Sequence, residues 1–217
     1  MSLKSGAALL RGIVAFLLGA AGLLLVPGQA WAQCVQSGSV VTCTGNTSGS
    51  PYGFDGTNQS GLTINVQSGA TVSGTNPTNP LVTNGTGIAS GPTTPNNINN
   101  SGTISGEESG VSGPSIVVNS GVITGGQFGI TTIGAGNGPV FGGSITVNNT
   151  NTGVITGGQF GIAAGGNIDL TNYGLVKGVQ WSVYENSAMS RAVLKFAQQA
   201  CSVSEPMRPW RAVQGLG

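Results

Sequence analysis

Short runs of alternating apolar and polar residues recur along most of this chain, separated by glycine and asparagine. Two segments are identical: Gly-Val-Ile-Thr-Gly-Gly-Gln-Phe-Gly-Ile occupies 121–130 and returns at 153–162. Looser copies begin at residues 102 and 174, as Gly-Thr-Ile-Ser-Gly and Gly-Leu-Val-Lys-Gly. Alternation with a period of two places one set of side chains on a single face of a β-strand. The pattern therefore predicts short strands rather than helices.

Each repeat divides into three short strands with glycines at the corners. A unit of about 20 residues cannot bury its apolar side chains alone, so it must stack on its neighbours. We therefore predict an all-β fold, a parallel β-helix solenoid of about six coils over 61–183. Inward residues of successive coils should stack as structural rungs: Ile104, Ile123, Ile155 and Val176 in one row, and Phe128 and Phe160 in another. Asparagines such as Asn119 should form ladders that stabilise the stack.

The first 32 residues have the pattern of a secretory signal peptide. Lys4 and Arg11 precede an apolar core from Gly12 to Val26, and Ala30-Trp31-Ala32 is a small-x-small cleavage site. We predict cleavage between Ala32 and Gln33, with the Sec export machinery as a partner. The alternative is an uncleaved anchor, but the core is short for a spanning helix, which needs about 20 apolar residues. No transmembrane segment is predicted in the mature chain.

Residues 33–60 are predicted to form an N-terminal hairpin or cap. Cys34 and Cys43 bracket two short apolar stretches joined by a Ser-Gly turn. In an oxidising compartment, this spacing favours a disulfide across a hairpin. A metal site is disfavoured, because the chain contains no histidine and Cys201 is distant in sequence.

The composition changes after Val183, so residues 184–217 form a separate segment. Apolar residues at helical spacing predict a short C-terminal helix over 186–200, followed by an irregular tail. A helix could cap the exposed rungs of the last coil. The alternative is a non-native tail produced by truncation or by a shifted reading frame.

Charge and composition exclude several functions. Lys and Arg are absent from 33–176, which argues against nucleic acid as a partner. The acids of the repeats are Glu107, Glu108 and Asp169, which are expected to be solvated and too scattered for glycosidic chemistry. Without histidine, a Ser or Cys nucleophile would lack its usual base. The glycine-rich corners also lack the aspartates of calcium-binding repeats. We therefore predict no catalytic residues, no cofactor and no metal site.

These features together resemble the passenger region of bacterial autotransporter outer-membrane proteins. The resemblance rests on the long signal peptide, the Cys34–Cys43 hairpin, the Gly-Leu-Thr-Ile-Asn-Val-Gln-Ser-Gly-Ala-Thr-Val segment at 61–72 and the Asn-Ser-Gly-x-Ile-x-Gly repeats. It implies a right-handed parallel β-helix that is exported to the cell surface. It also implies a C-terminal β-barrel translocator, which we expect this polypeptide to lack, since no run of barrel strands precedes its last residues.

The sequence therefore predicts an exported, non-enzymatic module for surface display or adhesion, with glycans or other cell surfaces as partners. We expect it at the cell surface, in the extracellular space or in the periplasm, with outer-membrane association if a barrel is supplied. Two alternatives stand beside this interpretation. One is a carbohydrate-active β-helix enzyme, a lyase or hydrolase. The other is a degenerate, truncated autotransporter fragment without an independent function.

Overall fold

The computed structural model describes residues 33–76, 85–91, 94–132, 143–185 and 193–196. The predicted signal peptide with Ala32, the predicted loop around 134–139 and most of the C-terminal segment therefore lie outside the described residues. Within the described part, the chain contains strands and no helix. The strands form three sheets, which identifies the fold as a parallel β-helix.

Strand β1 (Cys34–Ser37) comes first, and eighteen further strands form six coils of three strands each. The first coil consists of β2 (Val40–Cys43), β3 (Asn46–Gly49) and β4 (Tyr52–Gly56), and the second of β5 (Thr63–Val66), β6 (Thr71–Gly74) and β7 (Thr86–Ser90). The third coil consists of β8 (Asn96–Asn100), β9 (Thr103–Gly106) and β10 (Ser109–Ser112), and the fourth of β11 (Ser115–Asn119), β12 (Val122–Gly125) and β13 (Phe128–Thr131). The fifth coil consists of β14 (Ile145–Asn149), β15 (Val154–Gly157) and β16 (Phe160–Ala164), and the sixth of β17 (Ile168–Asn172), β18 (Leu175–Gly178) and β19 (Trp181–Glu185). A last strand, β20 (Val193–Phe196), follows them.

The first, second and third strands of the coils form three sheets, which we name A, B and C respectively. Within each sheet, every strand pairs in parallel with the strand of the next coil. Strand β1 is the exception, because it pairs with β2 in an antiparallel hairpin at the start of sheet A. At the other end of sheet A, β20 pairs in parallel with β17. Each coil thus uses its neighbours to satisfy its backbone hydrogen bonds.

The interior is a continuous stack of aliphatic side chains. In sheet B, Ile104, Ile123, Ile155 and Val176 lie in direct register. The three isoleucines have no exposed surface, and Val176 packs against the same core while partly buried. Sheet C contributes a second inward row that includes Ile88, Ile130 and Ile162. These rows remove β-branched side chains from water along the whole stack, which is the main stabilising term of the fold.

Four asparagines, of which the first three are buried, form a ladder along the corner between sheets A and B. Asn100, Asn119, Asn149 and Asn172 occupy the last position of successive sheet A strands. The Nδ2 of each donates to the Oδ1 of the next, with a distance of 2.8 Å at all three steps. The ladder predicted from sequence is therefore confirmed. Its amides pair with one another and with backbone carbonyls, so polar groups are buried without losing their hydrogen bonds.

The β-helix begins earlier than the sequence indicates. The predicted cap at 33–60 contains the whole first coil, β2 to β4, so only five of the six coils lie within 61–183. Val41 and Cys43 point into the core and pair in register with Ile64 and Val66. The sequence hides this coil because Asn46–Gly49 lacks apolar alternation. Its strand is held by pairing with β6 rather than by its own apolar pattern.

The helix predicted over 186–200 is wrong at Val193–Phe196, which form strand β20. The remainder of that predicted helix lies outside the described residues. The free edge of β17 offers unpaired backbone groups to the chain that follows the last complete coil. Pairing with an existing edge satisfies several backbone groups at once, and this outweighs a helical apolar spacing in a short segment.

Cys34 and Cys43 are joined by a disulfide that ties β1 to β2. Cys43 is fully buried, and Cys34 packs against the core from the hairpin. We expect the protein to contain no free thiol at either position, with a stabilisation of about 2–3 kcal/mol because the closed loop is short. Mass spectrometry of the non-reduced protein measures this directly. Alkylation of both cysteines before reduction would contradict the prediction.

Candidate functional site

The outer faces of the three sheets differ in chemistry. Sheet B presents hydroxyl and aliphatic side chains, as in the partly exposed pairs Thr71 and Ser73 or Val122 and Thr124. Sheet A presents mainly Thr and Asn, together with Ile116 and Val118, each 40% exposed. Among the side chains that the structure describes, a row of aromatic rings occurs on sheet C. Sheet C is therefore the outer face with the strongest potential for specific contact.

Phe128 and Phe160 lie on the outer face of sheet C. Neither side chain joins the contiguous aliphatic cluster of the interior, so they are not inward rungs like the isoleucines, although Phe128 is itself buried. The reason is the glycine that follows each of them. A Cβ on Gly129 would lie only 2.7 Å from Cγ2 of the core residue Ile155, so the Cα of Gly129 faces inward. Because neighbouring residues of a strand face opposite sides, the preceding Phe128 faces outward.

The rings of Phe128, Phe160 and Tyr184 stack along this face. Together with the neighbouring Trp181, these four residues are called the aromatic ladder. The rings of Phe128 and Phe160 are 5.5 Å apart at their centroids and nearly parallel, with an interplanar angle of 10°. Phe160 and Tyr184 follow at 5.0 Å with an angle of 43°. Such spacings are those of favourable aromatic pairs.

The exposure of the aromatic ladder increases along the helix axis. Phe128 is only 7% exposed, Phe160 and Tyr184 are partly exposed, and Trp181 is 46% exposed. Trp181 pairs in register with Phe160, so it continues the same row in the sixth coil. A molecule lying on sheet C would therefore meet aromatic surface mainly in the last two coils.

Two acidic residues lie on or next to sheet C, in coils that precede the aromatic ladder. Asp55 is exposed in β4 of sheet C, and its Oδ1 accepts hydrogen bonds from the backbone N and Oγ1 of Thr57. Glu107 is exposed at the corner before β10, where its Oε2 accepts a hydrogen bond from the backbone N of Asn76 at 2.8 Å. Asp169, in contrast, is exposed on sheet A.

Glu108 is buried, although the sequence predicted a solvated carboxyl at this corner. It is only 6% exposed, and burial raises the pKa of its carboxyl from 4.5 to about 7. Its backbone oxygen accepts hydrogen bonds from the N atoms of Gln127 and Phe128, so it lies one coil before the aromatic ladder. The equivalent positions in later repeats are the glutamines Gln127, Gln159 and Gln180. Glu108 is thus a titratable group at an otherwise uncharged position.

Replacing Glu108 with Gln should stabilise the protein above pH 7. Between pH 4.5 and about 7, the folded state holds a proton that the unfolded chain has released. The free energy of unfolding should therefore fall as the pH rises through this window and level off above it. Glu108→Gln should remove this decrease in the free energy of unfolding, which is of the order of 1–3 kcal/mol.

Urea denaturation at several pH values measures this effect. Glu107→Gln, which changes the adjacent exposed carboxyl, is the matched control. A pH slope that survives Glu108→Gln and disappears in Glu107→Gln would contradict the assignment of the titration to Glu108.

The structure also fixes the surroundings of the remaining predicted residues. Gln33, on the mature side of the predicted cleavage site, is exposed. No group of three or more potential metal ligands occurs in the described ranges. In the same ranges, no helix is long and apolar enough to cross a membrane. The absence of catalytic residues stays a prediction.

Tyr184 is the residue that the sequence interpretation missed. It follows the inward Val183 in β19, so alternation alone places it on the outer face. Its contact with Phe160 could be anticipated only after the outward orientation of Phe160 was known.

Comparison with known proteins adds no relative: no family model, curated protein or solved structure matches this chain.

Proposed function

We propose that this protein is an exported, non-enzymatic β-helical module that contacts glycans or other cell surfaces. The observation that carries the proposal is the aromatic ladder on the outer face of sheet C. Aromatic rings that are packed side by side and partly exposed offer rigid apolar surface with little conformational entropy to lose on binding. The apolar C–H faces of sugar rings are complementary to such a surface.

The resemblance to autotransporter passengers supports export and display on the cell surface. The predicted signal peptide and the disulfide of β1 and β2 are in keeping with an oxidising compartment. The described acids are dispersed over sheets A and C, which favours contact over hydrolysis. Repetition of similar coils provides many equivalent positions, so weak contacts can add along one ligand.

A carbohydrate-active enzyme is the second candidate, and one observation favours it. Burial raises the pKa of Glu108 to about 7, and general acids of glycosidases are tuned in this way. Such chemistry also requires a second carboxylate across the scissile bond. The neighbouring Glu107 instead accepts a hydrogen bond from Asn76 and is exposed to solvent.

Binding and turnover can be measured on the same purified protein. Affinity electrophoresis against β-glucans, chitin fragments, pectins and glycosaminoglycans detects binding, and chromatography of the incubated polymers detects cleavage, with and without calcium. We expect binding to at least one of these polymers and no cleavage. Cleavage that Glu108→Gln, Glu107→Gln or Asp169→Asn abolishes would replace the proposal with the enzyme. Neither binding nor cleavage would leave the degenerate fragment as the remaining interpretation.

A further inference from the structure

We propose that the outer face of sheet B binds ice and slows the growth of ice crystals. This activity is separate from the proposed glycan contact, because it uses a different sheet and a ligand that is a crystal lattice. Three features of the face support it. Its side chains repeat regularly in two directions, they carry no charge over five coils, and they lie on a rigid, fully packed interior.

The outward positions of sheet B form two straight columns. One column has a hydroxyl group in each of the first five coils, and its members lie in direct register: Ser48, Ser73, Ser105, Thr124 and Thr156. The second column lies two residues earlier on each strand: Asn46, Thr71, Thr103, Val122 and Val154. All of these side chains are exposed or partly exposed, and we call the two columns the sheet B grid.

Parallel pairing sets the dimensions of the sheet B grid. Neighbouring strands of a parallel sheet lie about 4.8 Å apart, and residues two apart on one strand are separated by about 6.6 Å. The asparagine ladder at the border with sheet A has the same distance of 2.8 Å at each of its three steps. Side-chain ladders of this kind stabilise flat stacks of strands. The grid therefore repeats evenly from coil to coil.

An ice surface repeats in the same manner. Its oxygen atoms lie in planes whose shorter repeat is close to the strand spacing of a parallel sheet, so one hydroxyl on each strand can meet successive lattice oxygens. A hydroxyl both donates and accepts hydrogen bonds, as a water molecule in ice does. The methyl groups of Thr and Val order the adjacent water without binding it. A lattice uses a repeat that is fixed in two directions, whereas a flexible chain does not.

The absence of charge from the sheet B grid favours ice over ionic ligands. Charged side chains hold their hydration water in orientations that do not fit a lattice, and the ten grid positions contain none. Among the described residues, charge begins at the borders. Lys177 continues the hydroxyl column in the sixth coil, and Glu107 lies at the corner towards sheet C, where it accepts a hydrogen bond from Asn76.

The sheet B grid lies on a rigid base. The residues that alternate with it on β6, β9, β12 and β15 are fully buried, namely Val72, Ile104, Ile123 and Ile155. Threonine and valine on the outer face are themselves β-branched, so few rotamers are open to them. Little side-chain entropy is therefore lost when the grid meets a rigid lattice.

Nanolitre osmometry of the purified protein measures the gap between the melting and freezing points of a single ice crystal. A frozen-droplet assay measures recrystallisation. We expect the wild-type protein to open such a gap and to keep ice grains small. Thr103→Tyr combined with Thr156→Tyr should abolish both effects, because the added rings rise above the grid. Thr146→Tyr, at an exposed threonine of sheet A, is the matched control and should behave like the wild-type protein.

Urea unfolding first establishes that each variant is folded. If the wild-type protein showed neither effect on ice, the inference would be overturned. Survival of both effects in the folded double variant, or their loss in Thr146→Tyr, would also overturn it, because the ice-binding face would then lie elsewhere. Retention on crystalline cellulose or chitin without an effect on ice would show that the grid recognises a solid polysaccharide instead, and would overturn it as well.

Discussion

Ile123→Asp should destabilise the protein by several kcal/mol, whereas Thr124→Asp should change the free energy of unfolding by about 0.5 kcal/mol or less. Ile123 has no exposed surface and lies in register between Ile104 and Ile155. An aspartate there would lie among aliphatic side chains with no cation beside it. Thr124 is the next residue along β12, but it is partly exposed on the outer face of sheet B.

Urea unfolding followed by circular dichroism compares the two variants directly. The pair Ile155→Asp and Thr156→Asp repeats the comparison in the next coil, where the sequence of the strand is identical. The same order of stability is expected there. Equal unfolding midpoints for the inward and outward variants would contradict the strand register on which the whole coil assignment depends.

Asn149→Leu should destabilise the protein by about 2–4 kcal/mol, since it breaks the asparagine ladder in its middle. The Oδ1 of Asn149 accepts from Asn119, and its Nδ2 donates to Asn172 and to the carbonyl oxygens of Gly153 and Leu175. Leucine would remove all of these partners. Asn119 would lose an acceptor, and the two carbonyl oxygens would each lose one donor, although the Gly153 oxygen would keep the backbone N of Leu175.

Asn148→Leu is the matched control for the ladder, because Asn148 precedes Asn149 on the same strand and is exposed. It should change stability by no more than about 0.5 kcal/mol. Thermal unfolding by differential scanning calorimetry gives both values. If Asn149→Leu were as stable as Asn148→Leu, the ladder would contribute nothing beyond filling space.

The repeat sequence predicts the interior of sheets A and B well, because the signal is local. Ile123 and Ile155 alternate with threonine, and period two is enough to place them inside. The ladder at Asn119 follows from stacking equivalent residues. In both cases, the sequence of a single strand is enough to predict which of its side chains face the interior.

Sheet C is predicted less well because a glycine interrupts alternation. Gly129 faces the core between the outward Phe128 and the inward Ile130, so two consecutive positions face inward. Alternation counted from Ile130 alone places Phe128 inside, which is wrong. A side chain at position 129 would collide with Ile155, which lies in a strand of the next coil. The sequence of one strand alone does not reveal this contact.

The first coil and the burial of Glu108 also depend on contacts between coils. Strand β3 has little apolar character and forms through its pairing with β6. Glu108 occupies a position that is filled by glutamine in the later repeats, where Gln159 and Gln180 are exposed. Comparison with these equivalent positions therefore predicts that Glu108 is exposed. In the third coil, however, the surrounding residues bury it.

We propose that the aromatic ladder on sheet C is the surface through which the protein contacts glycans. Binding of a glycan identified in the polymer panel should be compared among the wild-type protein, the double variant Trp181→Ala and Tyr184→Ala, and Thr124→Ala on sheet B. We predict that the sheet C variant loses at least about tenfold in affinity, which corresponds to about 1.4 kcal/mol, while Thr124→Ala binds like the wild-type protein. Undiminished binding by a folded sheet C variant would show that the contact surface lies elsewhere on the protein.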